Sequence, residues 1–197
     1  MSSDHATIAS QLQYVPIAEQ SWYVLPGAHI YIGGKFVGAL SSYSPTTCIQ
    51  GGSSPSCTIL DSGTTLNLVS TSIWTFLVDT LVKANSNLPA FGEDFWQVTN
   101  SDNQVIARPC TALRLPGLPD ITIKLLNSDQ KTVATTLTLS SNVYFKSVGD
   151  GQCIFGFKPT TSNQHILGQT AMESSYIHFD RKNNRIGFAP NTGMCGN

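Results

Sequence analysis

The sequence predicts an all-β fold, mainly strands with one or two short helices. Three observations carry that expectation. From Tyr14 onward, short apolar–polar alternations recur along most of the 197-residue chain. They are punctuated by Gly, Pro, Ser and Asn, the residues that turn a chain between strands. Only one segment has a sustained helical period.

The elements follow in order. Residues 1–13 are polar and read as a linker or an extended lead-in. Trp22-Tyr23-Val24-Leu25 reads as a strand. Ile30-Tyr31-Ile32 and Lys35-Phe36-Val37 flank Gly33-Gly34, a two-residue hairpin signal. Ser70 or Thr71 can cap the helix, in which Ile73, Trp74, Leu77, Val78, Leu81 and Val82 form one apolar stripe facing a core. Asn85 and Asn87 end it. Ile121, Ile123 and Leu125 alternate with Thr122 and Lys124, and Leu137 and Leu139 with Thr136 and Thr138. A second helical turn is expected at 169–174. Tyr176–Phe179 and Arg185–Phe188 flank a turn at Asn183-Asn184.

Composition bounds the function. Eleven Lys+Arg face twelve Asp+Glu, for a net charge of −1. No basic patch is available for a phosphate backbone, so nucleic acid is not an expected partner. No apolar run is long enough to span a bilayer. The polar start lacks an apolar h-region, so no signal peptide is expected. The five cysteines, Cys48, Cys57, Cys110, Cys153 and Cys195, form no CxxC pair and have no His at zinc-finger spacing. No metal or other cofactor is expected. Four cysteines could close two disulfides, which implies an oxidising compartment.

The sharpest local feature is Thr58-Ile59-Leu60-Asp61-Ser62-Gly63-Thr64-Thr65. An apolar strand delivers a carboxylate to a tight turn, where the Gly63 N–H and the hydroxyls of Ser62 and Thr64 can hold it. Taken alone, Asp-Ser-Gly is also ordinary turn chemistry. A second feature stands about a hundred residues later. There His165-Ile166-Leu167-Gly168 precedes Gln169-Thr170-Ala171-Met172, and Phe179-Asp180-Arg181 precedes Ile186-Gly187-Phe188-Ala189-Pro190. With Tyr14-Val15-Pro16-Ile17 and Trp22-Tyr23 at the entrance and Gly33-Gly34 in the first hairpin, this ordered set closely resembles the C-terminal lobe of the pepsin-like aspartic proteases. The likeness runs from about Tyr14 to Pro190, with 191–197 as a tail.

The resemblance implies a role for each matching residue. Asp61 is one of two catalytic carboxylates, the other coming from an N-terminal lobe. Ser62, Gly63 and Thr64 support the catalytic turn, with Ser62 standing where Thr is commoner. Gly63 and Thr65 touch the substrate backbone. Ile59 and Ile166 line an apolar subsite, or simply pack in the core. Gln169 replaces an Asp that many members carry, which removes a like charge near Asp61. Cys48–Cys57 and Cys110–Cys153 are the implied disulfides, worth about 3 and 4 kcal/mol by loop-closure entropy, and Cys195 is left over. The implied function is aspartic-type endopeptidase activity on polypeptide substrates, in a protein of the secretory route, extracellular or lysosomal/vacuolar. The chain holds one Asp-Ser/Thr-Gly turn; Asp150-Gly151 reads as a plain turn. A homodimeric single-lobe protease and a non-catalytic pepsin-like binding or inhibitor protein are the alternatives.

Overall fold

The computed structural model describes residues 8–19, 22–41, 57–89, 95, 97, 106–162 and 164–191. Cys48 and Cys195 lie outside them. Fifteen strands make up the larger part of the regular structure among the described residues. A helical turn at 8–11 precedes the first strand.

The site is carried by a five-stranded sheet. Its members are β2 (Val24–Leu25), β5 (Cys57–Leu60), β6 (Asn67–Ser70), β12 (Phe157–Thr160) and β13 (Gln164–Leu167), in the order β12-β6-β13-β5-β2. β5 and β6 are consecutive in sequence but not neighbours. β13 slides between them, parallel to β5 (Ile166 opposite Ile59) and antiparallel to β6 (Ile166 opposite Leu68). All four residues of β5 are buried, as expected of a strand covered on both faces. β2 is shorter than the expected strand at 22–25, because Trp22 and Tyr23 form a turn and Trp22 is exposed.

The expected helix forms as α1 (Thr71–Ala84). Ser70 is its N-cap and accepts from Ile73 N at 3.4 Å; Asn85 is its C-cap. Ile73, Trp74, Leu77, Val78 and Leu81 are buried, each contributing roughly 1.5–3 kcal/mol of transfer free energy. Val82, expected in the stripe, points out and is exposed; its 100° step from Leu81 carries it off the buried face. Trp74 fixes the helix on the sheet by donating Nε1–H to the Phe157 carbonyl of β12 at 2.9 Å.

A four-stranded antiparallel sheet lies under the core: β4 (Lys35–Ala39), β3 (Ala28–Ile32), β8 (Ile121–Leu126) and β9 (Val133–Leu139). Its period-2 pattern is visible in β3 and β8, where alternate residues are buried. The β3–β4 hairpin turns on Gly33 and Gly34 with φ of 55° and 79°, two consecutive left-handed residues that suit the strand twist. A third sheet joins the two ends of the described chain. β1 (Gln13–Pro16) pairs with β15 (Arg185–Pro190), which pairs with β14 (Ser175–Asp180). The β14–β15 turn is a 3₁₀ turn at Arg181–Asn183, closed by Asn184 in the left-handed region.

The last sheet orders β10 (Phe145–Gly149), β11 (Gln152–Phe155) and β7 (Arg108–Pro109). Three one-turn helices, α2 (Cys110–Leu113), α3 (Ser141–Tyr144) and α4 (Gln169–Met172), link the elements. The disulfide Cys110–Cys153 pins α2 to β11 across 43 residues. Cys57 is also disulfide-bonded, with a partner outside the described residues. The expected pair Cys48–Cys57 therefore falls partly outside them.

Two outcomes follow from this packing. Cys153→Ala lowers the unfolding free energy by about 4 kcal/mol, the loop-closure value for a loop of this length, measured by denaturant titration. The second concerns His165, buried on β13 with Nδ1 bonded to the Leu40 carbonyl. Burial pushes its pKa below 6.5, and the bond to Leu40 pulls the other way. Its neutral form is the native one, so the unfolded chain binds the extra proton first. Stability is complete above 6.5 and falls as the pH drops toward the lowered native value. His165→Gln therefore shrinks the Tm difference between about pH 7 and about pH 5, read from melts at the two values.

Candidate active site

The crossing of β13 between β5 and β6 positions the Asp61 turn. Asp61 leaves β5 with its N–H still bonded to the Leu167 carbonyl at 3.0 Å, so its backbone belongs to the sheet. Its partly buried side chain then stands at the sheet's end. The Gly63 N–H donates to Oδ1 at 2.8 Å, and the Thr64 hydroxyl donates to Oδ2 at 2.6 Å. Each carboxylate oxygen has one fixed donor. A Cβ at Gly63 would lie 3.2 Å from Oδ1, so the carboxylate would have to give by a few tenths of an ångström.

The far side of the turn is held just as tightly. Gln169 N donates to the Thr64 carbonyl at 2.8 Å. Thr170 donates to the Thr65 carbonyl through its N–H at 3.1 Å and its hydroxyl at 3.0 Å. Gln169 Nε2 donates to the Ser62 carbonyl at 3.0 Å. Gly168 N donates to Asn67 Oδ1 at 3.0 Å, while Asn67 N bonds the Gly156 carbonyl at 2.9 Å. The segment 168–170 thus bonds the turn at residues 62, 64, 65 and 67. That density of contact requires Gly168. A Cβ there would sit 2.4 Å from the Thr64 carbonyl oxygen and 2.5 Å from that of Leu66, backbone atoms that cannot step aside.

The candidate residues are therefore placed as follows. Asp61, Gly63 and Thr64 form one hydrogen-bonded unit. Ser62 is exposed; its carbonyl accepts from Gln169, and its hydroxyl is not among the donors on Asp61. Thr65 is exposed beside Gly63. Ile59 is buried and packs with Val24 and Cys57. Ile166 lies directly beside it on β13, only partly buried. Sequence reasoning passed over Asn67 and Thr170, both fully buried polar residues. The available signal was a polar side chain at an inward position: Asn67 sits two residues before Val69 on the same face of β6.

Among the described residues, no group of three or more His, Cys, Asp or Glu could hold a metal ion. No helix among them is long and apolar enough to cross a membrane. The arrangement offers one oriented carboxylate, with hydroxyl and backbone donors on it, beside the exposed residues Ser62, Gly63 and Thr65. Such a group accepts or gives a proton at a fixed place.

The chain is similar in sequence to known proteins. The family model described as eukaryotic aspartyl protease matches residues 2–191. A protein named beta-secretase from Strongylocentrotus purpuratus is 26% identical over 197 residues, covering 93% of this chain and 34% of that protein. A cathepsin E from Aquarana catesbeiana is 24% identical over 192 residues, covering 95% and 39%. An acid protease from Saccharomycopsis fibuligera is 33% identical over 54 residues, 27% of this chain. The chain spans little more than a third of the length of the first and second of these.

Gly168→Ala tests how far the turn depends on this close approach. It is expected to lower stability by about 1–3 kcal/mol, the cost of overpacking, and to loosen the Gly63–Asp61 contact. A thermal melt, with amide exchange at Gly63, reads both.

Proposed function

This chain belongs to the eukaryotic aspartyl protease family, and we propose that it supplies one of the two catalytic aspartates of an aspartic-type endopeptidase. The observation that carries the reading is the Asp61 carboxylate gripped by Gly63 N and Thr64 Oγ1 at the end of a buried strand. On this reading residues 14–190 are a C-terminal lobe, with 1–13 leading in and 191–197 trailing. An N-terminal lobe brings the second aspartate.

The chemistry needs both carboxylates because they take opposite states. Two carboxylates at contact distance cannot both ionise cheaply, so they share a proton. The ionised one takes a proton from a bound water as its oxygen attacks the scissile carbonyl carbon. The protonated one donates to the carbonyl oxygen. Collapse of the tetrahedral species breaks the C–N bond, and the departing amine takes up a proton. Within this lobe, Gly63 and Thr64 hold Asp61 in place. The exposed residues Gly63 and Thr65 meet the polypeptide substrate, and the partly buried Ile166 offers an apolar wall beside it, backed by Ile59 in the core. The disulfides support maturation in an oxidising compartment, the secretory route leading outside the cell or to a lysosome or vacuole.

Asp61→Asn in the two-lobed protein tests the reading. The amide is nearly isosteric but cannot exchange a proton on the pathway. The rate of protein-substrate cleavage is expected to fall by at least ~10²–10⁴-fold, the scale of lost acid–base catalysis. Tm holds or rises, since a carboxylate beside another is relieved. A variant retaining more than about a tenth of the wild-type rate, far short of that scale, overturns the reading. This lobe alone is expected to give no cleavage. A rate that rises with the square of its concentration would instead mark an active pair of identical lobes.

A further inference from the structure

Asn67 sits in an environment that calls for an apolar side chain. It is fully buried at the start of β6, and its Nδ2 has no hydrogen-bond partner. A buried amide with its donors unmet is destabilising, and a leucine of similar volume there would avoid that cost. What the side chain provides is one bond: Oδ1 accepts the N–H of Gly168 at 3.0 Å. Gly168 is the residue whose backbone presses closest on the Asp61 turn, with no room for a Cβ against the Thr64 and Leu66 carbonyls. The next residue, Gln169, carries a second side-chain amide, which is exposed and donates from Nε2 to the Ser62 carbonyl at 3.0 Å. The two amides therefore tie the two ends of the turn to adjacent residues of the crossing segment: Asn67 bonds Gly168, and Gln169 bonds Ser62.

We propose that Asn67 and Gln169 are positioning residues for Asp61, forming an amide bracket that keeps the end of β13 pressed against the catalytic turn. The proposal rests on the reading of Asp61 as a catalytic carboxylate. Neither amide bonds the Asp61 carboxylate, whose donors are Gly63 N and Thr64 Oγ1. They act through the backbone: Asn67 on Gly168, and Gln169 on Ser62, whose neighbours in the chain are Asp61 and Gly63. Asn67 makes its contribution at the expense of its own burial, so function and stability should part when it is replaced.

The experiment compares Asn67→Leu and Gln169→Met in the full-length protein by thermal melt, steady-state kinetics and amide hydrogen exchange. Asn67→Leu is expected to leave Tm unchanged or raise it. Its kcat falls about ten- to a hundred-fold with KM little moved, the scale on which a small misplacement of a reacting group acts. Exchange at the Gly63 and Gln169 amides quickens. Gln169→Met, a surface change that cannot threaten the core, moves kcat and Gly63 exchange in the same direction by a smaller factor. The proposal is overturned if both variants keep kcat and Gly63 exchange within about twofold of wild type, well inside that scale. It is equally overturned if kcat falls only in step with Tm, which would make Asn67 a stabilising residue. Asp61→Asn run alongside separates the two levels: if it keeps its rate, the functional reading fails, while Gly63 exchange in the amide variants still decides whether the bracket holds the turn.

Discussion

Backbone meets backbone at Gly168, and the geometry of the Asp61 turn depends on that contact. Two carbonyls, those of Thr64 and Leu66, stand where any side-chain carbon would have to go. With the hydrogen in its place, the residues on either side come within bonding range of the turn. Leu167 takes the Asp61 N–H, and Gln169 and Thr170 donate to the carbonyls of Thr64 and Thr65. A turn of six residues would otherwise leave these carbonyls to solvent. Here the strand that crosses between β5 and β6 gives them partners, and the side chain inherits the rigidity of the sheet.

The rest of the described chain serves to keep that crossing in register. α1 follows β6 directly and is pinned to β12 by Trp74, so β6 cannot move without dragging a fully packed helix. β12 runs parallel to β6 on its outer side. Gly156, just before β12, takes the Asn67 N–H, and its own N–H bonds the Tyr144 carbonyl at 2.7 Å. Tyr144, Phe145, Phe155 and Phe157 form a chain of ring contacts there. The Cys110–Cys153 bridge ties that aromatic region to α2. Apolar packing and a covalent tie thus surround a small polar network, and a network of that kind is rigid when its members find partners.

Much of this was legible in the sequence because it depends on periodicity and turn chemistry. The alternation at 121–125 and 136–139 became β8 and β9, the Gly-Gly pair became a left-handed hairpin turn, and the stripe from Ile73 to Leu81 became the buried face of α1. The Asp-Ser-Gly-Thr run could be read as a carboxylate among local donors, since Gly63 and Thr64 lie two and three residues away. The contacts of Asn67 and Gln169 were not legible. Their partners lie 101 and 107 residues distant, and no local pattern encodes a side-chain amide meeting a backbone group across a sheet. Trp22 and Val82 erred the other way: apolar residues next to an apolar run look like members of it, yet a turn and a helical step turn them outward.

The three-stranded sheet has a mechanical consequence. Gln13, at the start of β1, lies opposite Phe188 near the end of β15, and Pro16 lies opposite Arg185. The chain therefore enters β1 and leaves β15 at the same end of the sheet. Tension applied through its two ends would not shear β1 along β15, which would load all the interstrand bonds together. It would peel the strands apart like a zip, one hydrogen bond at a time, from Gln13 inward. Because this pairing joins residues about as far apart in sequence as the described chain allows, it is also a contact whose loop closure costs the most entropy. The described chain thus carries its costliest loop closure at the place where such a force arrives first.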